Sequence, residues 1–141
     1  MKQEIIDKLP PDVKKEFMKY AIKLDQKKTE NKVKSDFLSF VKHVWPEFIE
    51  GDHHKKIAEK FNRLAEGKAK RIIINMPPRH TKSEFSSYLL PAWMVGRKPN
   101  LKIIQTTHTT ELAIRFGRKA KTLIDSPEYQ RVFQTRLRED S

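Results

Sequence analysis

Residues 70–84 read KRIIINMPPRHTKSE, and the expected fold turns on them. Ile72, Ile73 and Ile74 form a short β-branched run behind basic residues, a composition and length that predict a buried strand rather than a helix. Pro77 and Pro78 end the extended segment. Arg79, His80, Thr81, Lys82 and Ser83 follow, and an apolar helical pattern opens directly behind them. Strand, tight loop, Lys-Ser, helix is the layout of a phosphate-binding loop. Backbone N–H groups and a helix N-terminus surround the phosphates, the lysine neutralises charge, and the hydroxyl holds magnesium. Against the general form G-x-x-x-x-G-K-[ST], Lys82 and Ser83 fit, while Met76 and Thr81 stand where glycines belong. The alternative is a loop of solvated basic residues.

The string INMPPRHTKSE resembles the deviant Walker A segment of the large terminase subunits of tailed phages, whose usual form is MPPRHGKS. One position departs, glycine to Thr81. The upstream stretch GDHHKKIAEKFNRLAEGKAKRIIINMPP is similar to the family's entry to its first ATPase strand. Downstream, SSYLLPAWMVGRKPNLKIIQTTHTTELAIRFGRKAKTLIDSPEYQRVF is similar to its helix, second strand and following helix, so the resemblance covers residues 34 to 136.

The resemblance implies an ATP- and magnesium-dependent motor that packages and cuts double-stranded viral DNA in the host cytoplasm. Its partners would be the phage portal and the small terminase subunit, with self-assembly only in a full-length protein. Carried over by position, Pro78, Arg79, His80, Thr81, Lys82 and Ser83 form the nucleotide loop. Lys82 would contact the β- and γ-phosphates, Arg79 would lie near the γ-phosphate as the second catalytic group, and Ser83 would ligate Mg2+. His53 and His54 fall in the region of the family's adenine-contacting segment; plain surface histidines are the other reading. Adjacent histidines point in different directions on a helix and make a poor metal pair.

Turnover also needs a carboxylate to hold magnesium and another to orient water. No apolar run followed by Asp-Asp or Asp-Glu occurs in the sequence. In the family that pair lies beyond the point reached here, so the chain is expected to be an N-terminal portion that binds ATP without useful turnover.

Of the 141 residues, 37% are hydrophobic and 34% charged, and the net charge is +12. That suits one domain with a modest core and a polyanionic partner, nucleic acid above all. There are no cysteines, which excludes disulfides and thiolate metal sites. No stretch approaches a membrane span, and the N-terminus lacks a signal peptide's apolar segment.

Taken in order, residues 1–9 suggest a short helix, and Val13, Phe17, Tyr20, Ala21 and Leu24 recur at helical spacing from Pro11. Gln26 to Ser35 reads as a polar linker or frayed helix end. Ser35 is the expected cap of a helix carrying Phe37, Val41 and Val44, and Asp52 of one carrying Ile57, Phe61 and Leu64 that stops at Gly67. A kink is expected at Pro91 and a stop at Gly96. LKIIQTT, from Leu101, reads as a second strand.

A helix from Thr109 or Thr110 buries Leu112, Phe116, Ala120 and Leu123. Its Arg115, Arg118, Lys119 and Lys121 either touch DNA phosphates or form a solvated face. The whole predicts an α/β protein: N-terminal helices over 1–50, then over 51–141 the first βαβα units of an incomplete parallel sheet of the P-loop NTPase kind. Two readings compete with the motor: a non-catalytic basic nucleic-acid-binding module, and a fragment of another P-loop ATPase such as a helicase.

Overall fold

The computed structural model describes residues 10–135. The expected helix over 1–9 and the tail from 136 lie outside the described residues. Among the described residues eight helical segments follow one another: α1 Pro11–Ser35, α2 Phe37–Val44, α3 Asp52–Ala65, α4 Lys82–Glu84, a π-helical turn Phe85–Leu89, α5 Leu90–Arg97, α6 Thr110–Ile124 and α7 Pro127–Val132. The chain divides into two compact units, Met1–Asn31 and Lys32–Ser141. The expected polar linker over 26–35 is helical, as the end of α1. Along α1, Val13, Phe17, Met18, Tyr20, Ile22 and Leu24 stay between 44% and 63% exposed, so the apolar stripe there is not a buried face.

The expected parallel sheet is absent. Among the described residues none belongs to a β-ladder, which overturns the α/β, P-loop NTPase assignment. The local preference for extended chain survives in the Ile72 segment. Ile72, Ile74 and Met76 are half-buried, while Arg71, Ile73 and Asn75 face outward, the period-two alternation of a strand. A sheet needs a neighbouring backbone to bond, and among the described residues neither 71–77 nor 101–107 belongs to a ladder. Ile73 is left 87% exposed and Ile104 91%.

The core of the second unit is helical and strongly aromatic. Phe37, Phe40, Phe85, Trp93, Tyr129 and Phe133 are all buried to within 2%. Phe37 meets Phe61, Phe85 and Trp93 edge-on at centroid distances of 5.1, 5.4 and 5.5 Å, the arrangement that ring quadrupoles favour. The two polar handles in this core are satisfied. Trp93 Nε1–H donates to the Val33 carbonyl (3.0 Å) and the Tyr129 hydroxyl to the Ala92 carbonyl (2.9 Å).

The caps differ from expectation by one residue. Asp36, not Ser35, caps α2, because its carboxylate accepts from the Ser39 amide (2.8 Å) and hydroxyl (2.6 Å). Its other oxygen accepts from Asn62 Nδ2 (2.8 Å), and Asn62 Oδ1 accepts from the Phe37 amide (2.8 Å), which ties α2 to α3. Gly51 rather than Asp52 precedes α3, and Gly67 ends that segment at φ +77°, as expected of a helix stop. The disturbance expected at Pro91 takes the form of the π turn just before it. Leu90 N bonds back to Phe85 O, and Pro91 has no N–H with which to continue the ordinary register. Gly96 stands one residue before the end of α5 at Arg97, next to the expected stop, and a Cβ there would meet Phe133 Cγ and the Tyr129 hydroxyl at 2.6 Å.

Candidate phosphate-binding loop

Between Met76 and Lys82 the chain turns through two residues of positive φ, Arg79 (66°) and Thr81 (56°). Neither is glycine, and Thr81 is β-branched, so the left-handed backbone is strained on the order of 1–3 kcal/mol there. Thr81 is the residue before the helical run Lys82–Arg97. The first main-chain bond of that run goes from Phe85 N to Thr81 O (3.0 Å). The amides of Lys82, Ser83 and Glu84 precede it and are therefore open donors at a helix start.

A threonine at this position usually caps those amides with its hydroxyl. Thr81 does not. Its hydroxyl donates to the His80 carbonyl (2.7 Å) and meets His54 Nε2 at 2.7 Å. Lys82 folds back so that Nζ donates to the Met76 carbonyl (3.3 Å). Lysine, open amides and the Ser83 hydroxyl thus gather on one turn. Pro78 and His80 shape it, with His80 Nδ1 2.9 Å from the Pro78 carbonyl. Arg79 is exposed at its tip.

The two upstream histidines part company. His54 is 6% exposed and packed against Phe48 (4.8 Å between centroids) and Phe85 (5.1 Å). Burial, reinforced by His53 and His80 against the opposing charge of Glu50, holds its pKa below the ordinary 6.5. His53 instead lies over His54 (3.8 Å) and lines a groove of about 290 Å³ with Ile57, Ile72, Ile74 and Met76. Met76 therefore belongs both to the groove and, through its carbonyl, to the Lys82 contact. His54 is a wall of the loop, whereas His53 faces the space beside it.

Ser83 supplies one exposed hydroxyl. The nearest acid in sequence, Glu84, is committed to Lys119, whose Nζ donates to both carboxylate oxygens (2.9 and 3.1 Å). Among the described residues no group of three or more His, Cys, Asp or Glu is placed to hold a metal ion. This donor set suits a hard ion only when phosphate oxygens and water complete its octahedron.

The basic cluster on α6 is divided as well. Lys119 is held by Glu84 and lies 5.6 Å over the Tyr88 ring. Arg115 and Arg118 are exposed and flank a groove with Tyr88, Glu111 and Thr122. Lys121 is exposed on the same helix. Sequence reasoning missed both the Glu84–Lys119 pair and the His54–Thr81 contact. They join residues 35 and 27 positions apart, and no local pattern marks such pairs.

No protein-family model matches the chain, and neither a curated protein nor a solved structure matches it. No helix among the described residues is long and apolar enough to cross a membrane.

Proposed function

We propose that this chain binds the phosphates of ATP at residues 78–83, as part of a DNA-packaging motor of the terminase large-subunit kind. The single observation that carries the reading is the diverted Thr81 hydroxyl, which leaves the amides of Lys82, Ser83 and Glu84 uncapped beside a lysine. In this reading the amides and Lys82 Nζ take the β- and γ-phosphate oxygens and release the Met76 carbonyl. Arg79 approaches the terminal phosphate, Ser83 offers its hydroxyl to a phosphate-bound Mg2+, and the base lies in the apolar groove beside His53. Magnesium would supply charge neutralisation across the phosphates. Binding rather than turnover is the expected activity, because Glu84, the acid nearest the loop in sequence, is held by Lys119.

Calorimetric titration with a non-hydrolysable ATP analogue and Mg2+ tests this. Saturable binding is expected, weakened at least about tenfold in Lys82→Ala, since charge-assisted contacts contribute about 1.5–3 kcal/mol. Absence of binding by the unaltered chain would overturn the reading. Steady phosphate release that disappears in Lys82→Ala would contradict the binding-only expectation.

A second reading, a basic nucleic-acid-binding module, draws on Arg115 and Arg118, which flank the Tyr88 groove while Lys119 is already engaged. No base-reading motif accompanies them, so binding to double-stranded DNA should be indifferent to sequence. It should fall by orders of magnitude between about 50 and 200 mM salt if some six or more phosphates are contacted. Arg115→Ala with Arg118→Ala should lower the salt slope by about two. A sequence-selective, salt-insensitive complex would rule this out.

A further inference from the structure

We propose that His54 is a positioning residue for the loop, a buried latch that holds Thr81 in the left-handed conformation from which Lys82 and its neighbouring amides are presented. The proposal rests on the phosphate-loop reading for its purpose, but its geometry stands apart from any ligand.

The hydrogen-bond directions fix the imidazole. The Gly51 amide donates to His54 Nδ1 (2.9 Å), so Nδ1 carries a lone pair. The Thr81 hydroxyl spends its own proton on the His80 carbonyl, so Oγ1 can only accept from His54. A single arrangement satisfies both: a neutral ring with its proton on Nε2, donating to Thr81 Oγ1 at 2.7 Å. The edge-on contact with Phe48 and the tilted contact with Phe85 fix the ring plane, and the Gly51 amide fixes the ring from its far side. A rigid donor therefore meets the side chain of a residue that would otherwise leave positive φ.

Two consequences follow. Thr81 keeps its unusual backbone because the hydroxyl is gripped from outside the loop, and the same grip stops that hydroxyl from capping Ser83 or Glu84. Glycine at this position would need no latch. The His54 contact is thus the counterpart of a side chain where a flexible loop would carry none.

Nitrogen and proton NMR of the whole chain, without nucleotide, reads the latch directly. Expected is a neutral His54 protonated at Nε2, with a slowly exchanging Nε2–H and a scalar coupling at Thr81 that reports positive φ. Thr81→Val should lose both signals, and Thr81→Ser should restore both.

The second arm is titration with the non-hydrolysable ATP analogue and Mg2+. Thr81→Val should weaken binding about three- to tenfold, as loss of one neutral hydrogen bond allows, while Thr81→Ser stays within about twofold. His54→Phe should weaken binding similarly in the natural background. It should change it less than about twofold in the Thr81→Gly background, where the latch has nothing to hold.

A His54 protonated at Nδ1, or a Thr81→Val chain with unchanged coupling and unchanged affinity, would overturn the proposal. A chain that shows the Nε2–H signal and its loss in Thr81→Val, yet takes up no nucleotide, upholds the latch and brings down the nucleotide reading instead.

Discussion

At the scale of single residues, Asp36 and His54 set how stability responds to acid, and both work in the same direction. Burial alone would raise the Asp36 pKa, but hydrogen bonds from Ser39 and Asn62 outweigh it and hold the carboxylate below its ordinary 3.8. A lowered folded-state value means the unfolded chain binds the proton first. The stabilisation is complete above the unfolded pKa and is lost as pH falls below it. His54 is lowered too, chiefly by burial, so its contribution is complete above about 6.5 and declines as pH drops from there. Thermal melts should therefore be flat near pH 7–8, fall below about 6.5, and fall again below about 4. His54→Phe should remove the first step, while Asp36→Ala should shrink the second, to which the lowered Glu50 and Glu66 also contribute, and cost about 1–3 kcal/mol at neutral pH. Residue types were readable in the sequence here, but partners were not. Ser35 is the last residue of α1, and Asp36 instead takes the Ser39 amide and hydroxyl together with Asn62 from α3, a set that no local pattern shows.

At the scale of elements, glycine separates packing from propensity. Gly96 lies under Phe133 and Tyr129, so Gly96→Ala should cost about 1–3 kcal/mol by overpacking. Gly117 lies inside α6, where a Cβ would meet nothing within 4 Å. Gly117→Ala should instead stabilise the chain by about 0.5–1 kcal/mol. Urea melts of the two variants, moving in opposite directions, check the pair; a shift the same way in both would contradict the packing described. Helices were largely legible, because 3.6-residue spacing of Phe37 with Val41, and of Ile57 with Phe61, depends only on local chain geometry. The end of that helix was legible at Gly96 to within one residue, but the packing of Gly96 under an aromatic ring was not, since no local pattern marks it. The strands were misread for a related reason. β-branching predicts extended backbone, and the alternation over 71–76 bears that out, but pairing is a property of two segments and not of one.

At the scale of the whole molecule, the loop was legible as an order of residues but not as a structure. Nothing in RHTKS shows that a buried histidine 27 positions earlier grips Thr81. The expected sheet failed for a larger reason. The residues identified as its strands leave Ile73 and Ile104 in solvent and, among the described residues, in no ladder. This bears on how the chain behaves in concentrated solution. A run such as IIIN is short, β-prone and uncharged, the composition of an aggregation nucleus, and Lys70 and Arg71 stand at its entrance as gatekeepers. Their repulsion is electrostatic and weakens as salt shortens the Debye length to about 8 Å at physiological strength. Light scattering should thus rise with ionic strength, and rise sooner when Lys70 and Arg71 are both changed to serine. Ile73→Lys should suppress it without loss of helical circular dichroism, because that side chain packs against almost nothing. Solubility in this protein would then rest on two cations beside three isoleucines, and a change of buffer could undo it while every helix stayed folded.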